Sequence, residues 1–247
     1  MDGYLLIDKP TGLTSHDVVA RVRRILRQSG SKKLIVNSKK LSTNNSQLTT
    51  RAPKVRVGHT GTLDPLASGL LILVLGNYTK RADEFSKLDK TYEVELILGA
   101  TSITGDIEGE IRPKSAQKPT KEATGTALST FLGEIMQIPH IYSAIKVGGQ
   151  RAYKLARKGE KPKIEPRKVT IYSIEEVRYE YPKVWFTARV SSGTYVRSLA
   201  EDIGEKLGTG AYVSALRRTK VGDFDVKDAI TIDSLSINTV QTEVAKK

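Results

Sequence analysis

Apolar and polar positions alternate along this chain in several distinct rhythms, and the rhythms predict its elements. Leu5-Leu6-Ile7 is a short apolar run cut off by Asp8 and Lys9. After Ser15, a candidate N-cap, Val18, Val19, Val22, Ile25 and Leu26 recur at helical spacing, while Arg21, Arg23, Arg24 and Arg27 take the other face. With no acidic partner after Asp17, that face reads equally as solvated or as turned toward phosphate. From Thr91 to Leu98 the period is two: Tyr92, Val94, Leu96 and Leu98 share one face, and Thr91, Glu93, Glu95 and Ile97 the other, which predicts a half-buried strand. A Pro- and Lys-rich connection over 112–120 leads to a helix over 123–132. Two strands follow, over 169–174 and 184–190, joined as a hairpin across Glu180-Tyr181-Pro182-Lys183. Val196, Leu199, Ala200, Ile203 and Leu207 then return to helical spacing, with Gly208 at a natural C-cap position. Strands and helices interleave irregularly, without the steady alternation of a doubly wound sheet, so the class is α+β with a large mixed sheet.

One segment breaks this order. Residues 29–54 are rich in Ser, Thr, Asn and Lys and contain no Asp or Glu, which reads as an inserted, basic and mobile loop, with Leu34-Ile35-Val36 as a short strand or packing anchor within it. The rest of the 247 residues suffices for a single catalytic domain. The run Leu70-Leu71-Ile72-Leu73-Val74-Leu75 is far shorter than the ~20 residues of a spanning helix, and the N-terminal run is too short for a signal-peptide core, so a cytoplasmic protein without membrane association is expected.

Charge changes the picture further. Lys and Arg number 40 against 27 Asp and Glu, a formal net charge of +13 and a pI near 9.7, which predicts attraction to a polyanion. Much of this excess lies in one stretch, Lys146, Arg151, Lys154, Arg157, Lys158, Lys161 and Lys163 with Tyr153 interleaved, a composition suited to gripping RNA. With zero cysteines and only three scattered histidines, disulfides, thiolate chemistry and Cys- or His-rich metal sites are excluded, and no metal or redox cofactor is expected.

The candidate chemistry centres on Gly58-His59-Thr60-Gly61-Thr62-Leu63-Asp64-Pro65-Leu66-Ala67-Ser68-Gly69. Its glycines and proline hold one carboxylate, Asp64, on a tightly bent backbone. A glycine-rich turn with one Asp is commonplace in loops, but this twelve-residue string closely resembles the signature of the TruB family of tRNA pseudouridine synthases. Further stretches match in the family's order: Gly3-Tyr4-Leu5-Leu6-Ile7-Asp8-Lys9-Pro10-Thr11-Gly12-Leu13-Thr14-Ser15, Lys90-Thr91-Tyr92, Tyr142-Ser143-Ala144-Ile145-Lys146, Gly193-Thr194-Tyr195-Val196-Arg197 and Leu216-Arg217-Arg218. Residues 29–54 make a longer connection than the family's, and one motif is imperfect. The family usually has two prolines before Tyr-Ser-Ala-x-Lys, and this chain has Pro139-His140.

The resemblance implies a central, mostly antiparallel sheet of two ferredoxin-like halves and conversion of the tRNA T-loop uridine, position 55, to pseudouridine on a flipped-out nucleotide. It implies Asp64 as the catalytic carboxylate, Arg197 as its ion-pair partner, and Tyr92 as a stacking platform and the base that removes a proton. Tyr195 and the Leu216 backbone are assigned to the flipped base, and His59 to the space the nucleotide leaves. Lys9, Lys146, Arg151, Lys154, Arg217 and Arg218 are candidates for the RNA backbone. Physical chemistry agrees with these roles, since an ionised carboxylate suits an electron-poor C1′, a guanidinium keeps it ionised, and an aromatic face offsets lost base stacking. Whether Asp64 attacks C1′ covalently or takes a ribose proton on a glycal path is open. A retaining glycosidase would pair the carboxylate with a second acid, and none stands out. The other readings are an RNA-binding protein without the chemistry and a base-excising glycosylase. A monomer acting on the tRNA T stem-loop, with no protein partner and no C-terminal RNA-binding domain of the PUA type after Asp233, is the expectation; the lack of that domain disfavours guide-RNA-dependent relatives.

Overall fold

The computed structural model describes residues 1–38, 55–160 and 162–245. In chain order the elements are β1 (Gly3–Lys9), α1 (Ser15–Ser38), β2 (Val57–His59), β3 (Ala67–Leu75), α2 (Ala82–Ser86), β4 (Lys90–Leu98), β5 (Ala100–Ser102), β6 (Ile111–Pro113), α3 (Lys121–Ser129), β7 (Gly133–Gln137), β8 (Lys146–Val147), β9 (Gln150–Arg151), α4 (Ala152–Arg157), β10 (Arg167–Glu180), β11 (Lys183–Val190), α5 (Val196–Lys206), β12 (Ala211–Val221), β13 (Phe224–Asp225), β14 (Ile230–Thr231) and α6 (Ile237–Ala245). They form two compact units, one of residues 1–86 with 224–247, the other of residues 87–223.

In the first unit β1 pairs antiparallel with β3 from Gly3 opposite Leu75 to Lys9 opposite Gly69, and β14 pairs parallel with β1. β2 lies antiparallel along β3. The uninterrupted run from Leu70 to Leu75 is buried throughout, as a strand covered on both faces must be. α1 packs Val18, Val19 and Val22 into this core and exposes Arg24 and Arg27. Tyr4, Phe85 and Phe224 close one end of the core with ring centroids 5.2–5.8 Å apart.

The second unit is built on five antiparallel strands in the order β12-β4-β11-β10-β7. The period-two pattern of β4 appears as predicted: Tyr92, Val94, Leu96 and Leu98 are buried, and Glu93 is exposed. β10 and β11 form the expected hairpin, and α5 ends at Lys206 with Leu207 as its C-cap, followed by Gly208 at φ 69°, the left-handed conformation that glycine takes without strain. The class is α+β, as the irregular interleaving predicts.

Three local expectations are corrected. The N-cap of α1 is Thr14, not Ser15: Thr14 Oγ1 accepts from the Asp17 amide at 3.1 Å while the Asp17 carboxylate accepts from the Thr14 amide at 2.8 Å, a reciprocal capping box. α3 starts two residues early because Thr120 caps it, accepting from the Ala123 amide, and it ends at Ser129, before the turn into Gly133 at φ 90°. Residues 29–38, expected to open a loop, continue α1, which places Leu34, Ile35 and Val36 on a helix. The remainder of that expected loop, 39–54, and Lys161 lie outside the described residues.

Candidate active site

The Asp64 turn is held at four points, each legible as chemistry of its own residue. Pro65 fits the second position of the tight turn that Asp64 opens, which the Ala67 amide closes on the Asp64 carbonyl at 3.0 Å. The Pro65 carbonyl accepts from the Gly12 amide at 2.8 Å, with Gly12 at φ 82°. Thr60 donates to the Ile72 carbonyl through its amide at 3.1 Å and its hydroxyl at 3.3 Å. Most telling is Ser15, whose Oγ donates to the Leu63 carbonyl at 3.0 Å and accepts from the Leu63 amide at 2.8 Å, satisfying both polar groups of a buried residue next to Asp64. The N-terminal motif and the Gly58–Gly69 motif, some fifty residues apart, are thereby one structure. Its product is a half-buried carboxylate on a backbone that cannot wander.

Lys9, expected to meet RNA backbone, has 0 % of its surface exposed and donates through Nζ to the carbonyls of Pro10 at 2.9 Å and Leu13 at 2.6 Å. It shapes the β1–α1 turn from inside. His59 lies at the end of β2 with its ring 5.3 Å from that of His16, edge to face.

In the second unit Arg197 sits in the first turn of α5, buried, with its guanidinium spread over three acceptors. Nη1 donates to the Thr104 carbonyl at 2.8 Å and lies 3.3 Å from the Asp106 carboxylate, and Nη2 donates to the Tyr142 carbonyl at 3.0 Å. Asp106 is 2 % exposed and also accepts from the Thr104 hydroxyl at 2.7 Å and the Glu108 amide at 3.0 Å. A buried pair so fully hydrogen-bonded keeps the guanidinium in one orientation, the condition under which buried charge is tolerated. Sequence reasoning missed Asp106. The available signal was Thr104-Gly105-Asp106, a glycine-bent turn presenting one carboxylate, like the Asp64 motif in miniature.

Tyr92 is buried on β4, opposite Ala188 of β11 and Arg218 of β12, and Leu216 is half-buried opposite Val94. Tyr195, at the N-cap of α5, has its peptide gripped at both ends by a second missed residue: fully buried Gln137 accepts from the Tyr195 amide at 2.8 Å and donates to its carbonyl at 3.1 Å. Beside Tyr92, Lys90 donates to the Leu88 carbonyl; burial, with Arg218 nearby, lowers its ammonium pKa to about 8. Arg218 itself is 2 % exposed, which corrects its expected place on an RNA-facing surface; Arg217 is half-buried. Lys146, Arg151 and Lys154 are exposed, as are Arg157, Lys158 and Lys163, so the basic stretch is open to a polyanion. It is built by α4, which buries Ala152, Leu155 and Ala156 and so turns its cations outward. Among the described residues no cluster of His, Asp and Glu could hold a metal ion.

The TruB family pseudouridylate synthase (N-terminal domain) model matches residues 48–196, and the tRNA pseudouridylate synthase B C-terminal domain model matches residues 197–246. A tRNA pseudouridine synthase B of Cupriavidus metallidurans is 42% identical over 235 residues, 94% of this chain and 67% of that protein. One of Burkholderia lata is 42% identical over 236 residues, 96% of this chain and 65% of that protein. Among solved structures, a chain of a Cbf5–Nop10–Gar1 complex is similar with a TM-score of 0.65 at 29% identity, covering 94% of this chain and 53% of its own length. A chain of an H/ACA RNP bound to a substrate RNA containing 2′-deoxyuridine gives 0.62 at 27% identity, covering 94% and 52%. The chain thus spans about two thirds of these curated relatives and about half of these solved chains. With a family model matched over more than half its residues and relatives at 42% identity along nearly all of it, the chain belongs to the TruB family of pseudouridylate synthases.

Proposed function

We propose that this chain isomerises the T-loop uridine of tRNA, position 55, to pseudouridine. The C1′–N1 bond breaks, the uracil turns, and C1′ bonds to C5; the C5 proton leaves and N1 regains one, so nothing is oxidised and no redox cofactor is called for. In this reading Asp64 is the carboxylate that acts at C1′ and Tyr92 the base for C5, with Arg197 keeping Asp64 ionised. Tyr195 and Leu216 receive the flipped base and His59 fills the space it leaves, while Lys146, Arg151, Lys154 and Arg217 meet the RNA backbone. In this reading the protein works as a monomer in the cytoplasm; among the described residues no helix is long and apolar enough to span a membrane.

The observation that carries the proposal is the Asp64 turn, a half-buried carboxylate fixed by Ser15, Gly12 and its own turn within a chain of this family. Incubation with unmodified tRNA, followed by base-specific chemical mapping, tests it. A single new pseudouridine in the T loop is expected. Binding without isomerisation would show an RNA-binding protein, and an abasic site a glycosylase.

A further inference from the structure

The motif in which the chain leaves its family's pattern has its own architecture. Proline fixes its own backbone angle and restricts its neighbour; a histidine does neither. In the structure His140 is buried, 8 % exposed, and its ring is committed on both edges. Nδ1 accepts from the Tyr142 amide at 3.2 Å, the two-residue reach of an Asx-type turn. With that nitrogen an acceptor, the proton sits on Nε2, which lies 3.1 Å from Glu201 Oε1. The ring also stacks on Tyr142, centroids 5.8 Å apart and planes 27° from parallel.

What these bonds hold is the reason to single them out. The Tyr142 peptide is fixed at its amide by His140 and at its carbonyl by Arg197 Nη2. Glu201 follows Arg197 by four residues, one turn along the same face of α5. The third wall is Gly105, where an added Cβ would come within 3.1 Å of Glu201 Oε1, 3.2 Å of Arg197 Cβ and 3.3 Å of His140 Cδ2. His140, Glu201, Gly105 and Arg197 therefore pack as one cluster, and His140, through Glu201, joins the 139–142 loop to the helix that carries the arginine beside Arg197's own bond to that loop.

We propose that His140 is a positioning residue for the isomerisation: through Glu201 and the Tyr142 amide it pins the loop whose carbonyl orients Arg197, replacing with two side-chain bonds what a second proline would supply through its ring. This rests on the reading of the chain as a pseudouridine synthase.

The test measures single-turnover rate at saturating enzyme, tRNA Kd and thermal stability for His140→Ala, His140→Asn, Glu201→Ala and the double variant His140→Ala/Glu201→Ala. His140→Ala should slow isomerisation by about 10- to 100-fold, the scale of a 1 Å misplacement, while Kd changes less than about threefold. His140→Asn, which keeps an acceptor for the Tyr142 amide, should recover part of the rate. The double variant should be no slower than His140→Ala alone by more than about twofold, since Glu201 acts through its bond to His140, which His140→Ala has already removed. A His140→Ala rate within twofold of wild type overturns the inference, as does a loss that appears equally in Kd. If His140→Ala does not fold, wild-type rates in both His140→Asn and Glu201→Ala overturn it. An inactive wild type would sink the functional reading itself, and is seen before any variant is made.

Discussion

Replacing Ser15 with alanine tests how the catalytic turn is held. Ser15 and Leu63 are 1% and 3% exposed, so the amide and carbonyl that the hydroxyl satisfies have no ready access to water. Each lost hydrogen bond costs about 1 kcal/mol net, and leaving a buried polar group unsatisfied costs about 1–3 kcal/mol. With the unsatisfied-group cost taken as the full penalty for each of the two groups, the destabilisation is about 2–6 kcal/mol, or roughly 4–24 °C in Tm at the ~2–4 °C per kcal/mol of a chain this size. Because Leu63 directly precedes Asp64, the carboxylate should also lose its position, lowering the single-turnover rate on tRNA more than about tenfold. Thr14→Ala is the comparison. It removes the α1 cap, costing about 1 kcal/mol, without touching Leu63, so Tm should fall while the saturated rate holds. A Ser15→Ala protein within about 0.5 kcal/mol of wild type in denaturant unfolding, or with a rate within threefold, would refute the view that this hydroxyl fixes the turn.

Further outcomes are expected. Asp64→Asn should abolish pseudouridine formation while tRNA affinity falls less than about tenfold, ~1.4 kcal/mol, because the carboxylate acts at C1′ and not on phosphate; activity within a few-fold of wild type removes Asp64 from the mechanism. Asp106→Ala should destabilise by about 1–3 kcal/mol by removing the buried acceptor shared by Arg197 Nη1, the Thr104 hydroxyl and the Glu108 amide, and Arg197→Lys should lose most activity although the charge remains, both read by denaturant unfolding and single-turnover rates. Burial, with Glu201 and Glu205 nearby, raises the Asp202 carboxyl from 3.8 to about 6, so the folded state favours the proton; the stability this gives is full below about pH 4 and lost as pH rises through 6. Asp202→Asn should therefore stabilise at pH 7 by about 1 kcal/mol after solvent screening, and a gain that persists unchanged at pH 4 contradicts the cause. An isolated T stem-loop should be modified at saturating enzyme, and a stem-loop that binds yet stays unmodified while whole tRNA reacts defeats that expectation.

The parts of the fold that announced themselves have local causes. The alternation around Tyr92 and the helical stripe from Val196 to Leu207 report which side of an element meets a core, and the structure has both. The Asp64 turn was legible because glycine and proline constrain the backbone where they stand. What stayed hidden depends on residues far apart in the chain. Asp106 meets Arg197 across 91 positions, and Gln137 meets Tyr195 across 58, without a periodic pattern at either end. Lys9 and Arg218 carry the charge that usually marks a surface, and only tertiary packing places them inside. Thr14 and Ser15 are adjacent hydroxyls of similar capping strength. Asp17 three residues after Thr14 was the discriminating sign, and it leaves Ser15 free for Leu63.

The discontinuous make-up of the first unit has a consequence in time. β1 takes one neighbour, β3, from the nearby chain, but its other neighbour β14, the ring of Phe224 against Tyr4 and the packing of Val244 on Gly3 all come from residues 224–247. On a ribosome adding about 5–20 residues per second, the 137 residues between these pieces take roughly 7–27 s to appear. For that interval one edge of β1 has open backbone groups, the kind of edge through which chains pair wrongly. The contiguous unit carrying Arg197 has all its own residues first, and the unit carrying Asp64 is completed later. Residues 224–247 thus complete the unit that holds the proposed catalytic carboxylate only after every residue of the other unit has been made.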